Sequence, residues 1–234
     1  TPLALKDAPA LIETVFPAQK VSYEAQRERR AGAGQTLTAL GSYWKGRKPL
    51  ILVRSIVLGS LLPPTSDREG DLDVFEKLMA FDEKSLAKRV YAQNSLKPNE
   101  LAELIHLDEP WRLFSHNIDE DDERFSVIES LSFPIDCASL NLTLRWRRDI
   151  EEEDKIEIFR KALEKFPDYE DKSALTKRPE ELEPSWLYSH IWNDVNRHFA
   201  RFGVSASSHD ELVQQLGILR FGHTPRLADT FCGG

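Results

Sequence analysis

Residues Asp229-Thr230-Phe231-Cys232-Gly233-Gly234 are of the types that admit a nucleotide-like cofactor to a protein. Glycines carry no side chain, so the backbone can approach a ligand closely and its amides can hold an anionic group. Asp229 ends the short apolar run before the turn, where it can help orient such a group. A Phe-x-Gly-Gly turn marks an ordinary chain reversal equally well. A second set, Trp44-Lys45-Gly46-Arg47-Lys48-Pro49, places an aromatic among three cations just before an apolar helix. Those types suit a pocket lip for a charged ligand or a phosphate backbone; the alternative is a helix entrance with solvated charges.

The remaining chemistry-bearing residues form no set. His190 and His198 lie two helical turns apart, but no carboxylate or cysteine near them in sequence completes a metal site, so they read as packing histidines. Cys137 and Cys232 match no metal spacing, and a reduced, cytoplasmic protein is expected. The acidic run Asp119-Glu120-Asp121-Asp122-Glu123 lacks the spacing and central glycine of a calcium loop. Gly32-Ala33-Gly34 lacks the Lys-Ser/Thr that would make it a phosphate-binding loop.

Charge narrows the partners. The 234 residues carry a formal net charge of −8, which argues against a chain that coats nucleic acid over its whole surface. Within it, Lys20 to Arg54 holds eight basic residues against two acids. That segment is either a polyanion contact or a solvated helix face. No apolar run is long enough to span a membrane, and no secretory leader opens the chain. The sequence does not start with Met, and it is expected to be trimmed at both ends.

The elements that position these residues read as mainly helical. Leu11, Ile12, Val15 and Phe16 suggest a short helix over 9–17. A charged helix capped by Ser22 follows and ends at Ala31-Gly32-Ala33-Gly34. Pro49 suits the first position of a helix over 50–62, whose apolar residues cover nearly all faces and predict burial. Residues 67–83 predict a surface helix, and Asn99 a cap for a helix to Leu107. Residues 125–146 read as loop with one or two strands. Helices are predicted over 149–166 and 184–202, the latter with Leu187, Ile191, Val195 and Phe199 on one stripe. Ser208 with Glu211 forms a capping box for a helix to Phe221-Gly222. His223-Thr224-Pro225 then leads into a terminal strand and the glycine turn. The acidic 119–123 run is the one internal boundary visible in the sequence.

Two stretches together carry a family resemblance. Leu227-Ala228-Asp229-Thr230-Phe231-Cys232-Gly233-Gly234 resembles the S-adenosylmethionine-binding motif of amino-methylating DNA methyltransferases, with Thr230 in place of the usual Pro. Tyr43-Trp44-Lys45-Gly46-Arg47-Lys48-Pro49-Leu50 resembles the upstream Lys/Arg-Pro-Leu helix start of the same enzymes. Ile12-Glu13-Thr14-Val15-Phe16-Pro17 is similar to the opening of large adenine-specific DNA methylases from anti-phage gene clusters. Those carry an N-terminal domain of unknown function, and the present chain is DUF1156-like in that sense. The resemblance covers both ends and is loose between Asp67 and Arg201.

It implies an α/β protein: a mainly helical N-terminal region, 1–222, leading at 223–234 into the first strand and glycine turn of a Rossmann-like, S-adenosylmethionine-dependent methyltransferase fold that is cut short. Cofactor contacts would come from Asp229, Phe231, Cys232, Gly233, Gly234, Lys48 and Pro49. DNA contacts would come from Trp44, Lys45, Arg47 and Lys48. The Asp/Asn-Pro-Pro-Tyr/Phe motif that holds the flipped adenine is absent: Pro63-Pro64 is preceded by Leu62 and followed by Thr65. The chain is therefore expected to hold no catalytic residue and no metal, and to be an incomplete adenine-N6 methyltransferase of phage defence. Its expected partners are DNA and other defence proteins. The alternative is a non-catalytic nucleic-acid-binding or scaffold module of a defence complex.

Overall fold

In the computed structural model of the chain, residues 3–32 and 49–225 are described. They are mainly helical, with one two-stranded antiparallel sheet. In chain order the elements are α1 (Ala18–Gly32), α2 (Leu50–Leu61), α3 (Arg68–Leu78), α4 (Glu83–Gln93), α5 (Pro98–Leu104), β1 (Phe114–Ser115), α6 (Phe125–Glu129), β2 (Arg145–Trp146), α7 (Glu152–Leu163), α8 (Tyr169–Ala174), α9 (Pro184–Leu187), α10 (Trp192–His198) and α11 (His209–Phe221). Two compact units contain them: residues 1–85 with 178–234, and residues 86–177. The acidic 119–123 run lies inside the second unit rather than between the two.

In the first unit, α1 packs on α2, which also meets α11 and the chain near Leu11. Val21, Glu24 and Ala25 face inward from α1, and Ile51, Ser55, Leu58 and Leu61 from α2. The expected helix over 9–17 is a single 3-10 turn, Leu11–Glu13. Leu11 is fully buried there, and its N–H reaches the Leu62 carbonyl at 2.8 Å. Ser22 does not cap α1, which begins four residues earlier at Ala18, behind Pro17. Nor is α2 buried all round: Leu50, Val53 and Ile56, spaced by three, are 52, 45 and 47% exposed. Pro49 is buried and stands one residue outside the helix as its cap.

The stripe Leu187, Ile191, Val195 and Phe199 is fully buried, but the expected single helix is broken into α9, α10 and the 3-10 turn Ala200–Phe202. Ser208 caps α11, its hydroxyl accepting Glu211 N–H at 3.2 Å. Glu211 turns back to Ser207 N–H at 2.8 Å instead of closing the box on Ser208. Gly222 ends the helix at φ 78°, where a Cβ would be strained. His223 to Pro225 form the expected link, and the expected terminal strand and glycine turn lie outside the described residues.

The second unit packs α5 against α7 and pairs β1 with β2, Phe114 opposite Trp146 and Ser115 opposite Arg145. Helix α7 shows the expected stripe of buried Ile156, Phe159 and Leu163 behind an acidic first turn. Asn99 does not cap α5. Pro98 takes the first helical position, and the Asn99 amide pins Leu142 O and Leu144 N–H at 2.8 Å each.

Candidate functional site

The N-terminus of α2 is the part of the expected site that the described residues include. Four amides at a helix start lack intrahelical partners, and the helix dipole favours negative charge there. Here a carboxylate of the chain itself takes the position. Glu28 Oε1 accepts Leu50 N–H at 2.7 Å and Oε2 accepts Ile51 N–H at 3.2 Å. Glu28 sits one helical turn after buried Glu24, so the face of α1 that packs on α2 also supplies its cap. The helix end beside Pro49 thus offers no free amide at these two positions.

Of the residues expected to bind cofactor or DNA, only Pro49 is among those described. Asp229, Phe231, Cys232, Gly233 and Gly234, and Trp44, Lys45, Arg47 and Lys48, lie outside them.

The basic segment around this site is partly consumed by internal contacts. Lys20 pairs with Glu76 at 2.6 Å, and Arg27 with Glu24 at 3.0 Å. Arg54 donates to the Tyr188 hydroxyl at 2.6 Å and lies over its ring at 5.7 Å. Arg29 and Arg30 stay exposed at the end of α1, where basic charge suits the dipole.

The histidines that looked like packing residues each find a polar partner far away in sequence. His198 Nε2 lies 2.7 Å from Asp71 Oδ1, and the other oxygen of Asp71 accepts Thr65 N–H at 2.7 Å. His190 Nε2 lies 3.0 Å from Asp82 Oδ2, which also accepts Ser85 N–H in the first turn of α4. Burial opposes ionisation of Asp82, but hydrogen bonds from His190 and Ser85 outweigh it and hold its pKa below the usual carboxylate value. His209 donates from Nε2 to the Leu78 carbonyl at 2.9 Å, with Tyr188 and Trp192 set edge-on to it at 4.4 and 5.4 Å. Burial is the main reason its pKa falls to about 4, so it is neutral. The first two are two-member pairs within the first unit: His198 ties α10 to Asp71 of α3, and His190 reaches Asp82. Among the described residues, no three His, Cys, Asp or Glu side chains come together as a metal set.

A family profile described as a protein of unknown function, DUF1156, matches residues 15–84, which span α1, the Trp44–Pro49 set, α2 and α3. No curated protein matches the chain, and no solved structure does. Among the described residues no helix is long and apolar enough to cross a membrane.

Proposed function

We propose that this chain is the N-terminal region of an S-adenosylmethionine-dependent DNA adenine-N6 methyltransferase, with the transfer chemistry supplied by residues beyond it. The observation that carries this is the pairing of a Lys-Pro-Leu helix start at 48–50 with Asp-x-Phe-x-Gly-Gly at 229–234. S-adenosylmethionine would supply the methyl group. The backbone amides of Gly233 and Gly234 would take its carboxylate, with Asp229 at the strand end. Glu28 already occupies the Leu50 and Ile51 amides, so ligand contacts at this end of α2 fall to side chains of the Trp44–Lys48 set. Trp44, Lys45, Arg47 and Lys48 would face DNA.

The test compares the 234-residue chain with the same chain carried on through an Asn/Asp-Pro-Pro-Tyr/Phe motif, using tritiated S-adenosylmethionine and DNA. The short chain should transfer no label and the long one should. In the long chain, Arg47→Ala with Lys48→Ala should lower the salt slope of DNA binding by roughly two units. Transfer by the short chain, or an unchanged slope, would overturn the assignment.

The helical build of the described residues favours a second reading, a non-catalytic nucleic-acid-binding or scaffold module. Absence of S-adenosylmethionine binding by the longer chain, measured calorimetrically, would select it.

A further inference from the structure

We infer that residues 86–177 are an inserted module, a cooperative folding body of its own set into the chain of the first unit between Ser85 and Arg178. The inference does not rest on the methylase reading.

The two ends of the module meet. Lys177 N–H donates to the Arg89 carbonyl at 3.1 Å, and Arg89 Nε donates back to the Lys177 carbonyl at 2.8 Å. This reciprocal pair joins residues 88 positions apart, close to where the chain enters and leaves the unit. Arg89 is fully buried, and a hydrogen bond kept from water is costly to leave unmade. A little further in, Ser95 Oγ donates to the Leu175 carbonyl at 2.5 Å and repeats the closure. A domain whose termini lie together can be set into another fold without pulling that fold apart.

Between its ends the module has a core of its own. Tyr91, Phe159, Trp146, Phe114 and Phe133 form one chain of ring contacts, with centroids 6.2, 6.1, 4.4 and 5.5 Å apart in turn. The chain runs from α4 through α7 and both strands to Phe133, which bridges to Leu107. Leu101, Ile105, Ile156 and Leu163 are buried as well. Residues 86–177 are enough chain for a domain that buries its own apolar surface.

The first unit closes by contacts between its own two segments, 1–85 and 178–234. Leu5 N–H donates to the Leu219 carbonyl at 2.8 Å, and Arg220 donates to the Leu61 carbonyl at 2.6 Å. Lys77 pairs with Asp194 at 2.8 Å, and His209 reaches the Leu78 carbonyl at 2.9 Å. Apolar burial and hydrogen bonds thus accumulate within each unit, and elements that share a core open together.

The test is hydrogen exchange of the whole 234-residue chain at neutral pH, read peptide by peptide. Phe159→Ala leaves a cavity in the core of the second unit. It should speed exchange roughly tenfold or more at the protected amides of α5 and α7, and change those of α2, α3 and α11 by less than about twofold. Leu58→Ala, in the core of the first unit, should do the reverse. Arg89→Met removes the Nε donor at the base and should loosen 86–177 in the same selective way. If Phe159→Ala does not stay soluble, Phe159→Leu makes the same comparison with a smaller cavity. Rates that rise together in both units would show one cooperative body and overturn the proposal. So would unchanged rates throughout in the Phe159 variants, because Phe159 would then hold no core.

Discussion

Glu28 closes the start of α2 by accepting the Leu50 amide at 2.7 Å, so one helix caps the next with a charge from its own packing face. Glu28→Ala should cost about 1 kcal/mol, the usual cost of losing a helix cap. Glu28→Gln, which keeps an acceptor but drops the charge, should cost about half that. Urea unfolding at neutral pH measures both. Equal stability of all three proteins would mean that water replaces the carboxylate without loss.

Arg220, on α11, is 9% exposed and has no carboxylate partner among the described residues. Its guanidinium donates instead to main-chain carbonyls of Leu61 at 2.6 Å, Ala8 and Pro9 at 2.9 Å, Leu62 at 3.2 Å and Leu5 at 3.4 Å. Burial lowers its pKa, but the five acceptors keep the charge solvated. Arg220→Met leaves those carbonyls without their shared donor and should destabilise by about 3 kcal/mol or more. Arg220→Lys should recover part of that loss. A denaturant midpoint for Arg220→Met within error of the unmodified chain would contradict this.

His209 sets a pH limit. Its folded pKa of about 4 lies below the ordinary histidine value of 6.5, so the unfolded chain binds its proton more readily. The stability this contributes is fully present above pH 6.5 and is lost as pH falls toward 4, on the order of 3 kcal/mol in all. Asp82, whose pKa is lowered, loses its contribution only at more acidic pH, below the ordinary carboxylate range. His209→Gln should flatten the dependence between those two pH values. Urea unfolding at a series of pH values would show it, and an unaltered slope would remove His209 as the cause.

Two positions on α2 separate its faces. Leu58 is 1% exposed and Ile56 47%. Leu58→Asp buries an unpaired charge and should cost several kcal/mol, enough to threaten folding. Ile56→Asp should stay within about 1 kcal/mol of the unmodified chain. Thermal melts of the two variants give the comparison, and equal losses would mean that the stripe through Ile56 is covered in solution.

What the sequence determined by itself is whatever depends on residues a few positions apart. The stripe from Leu187 to Phe199, the inward face of α7, the Ser208 cap and the stop at Gly222 all follow from helical periodicity and local hydrogen bonds. The Trp44–Lys48 and Asp229–Gly234 sets were likewise legible as residue types, and their geometry lies outside the described residues. Only tertiary structure decided the rest. The helix over 184–202 breaks near His190, a residue paired with Asp82 across 108 positions. Glu28 reaches α2 across 22 residues, and Arg220 reaches carbonyls more than 150 residues away. The β1–β2 ribbon has two-residue strands, too short to show alternation, and its register, Phe114 opposite Trp146 and Ser115 opposite Arg145, joins residues about thirty apart. Such contacts gain free energy only once the chain between them is ordered, so nothing in the local pattern of residues announces them.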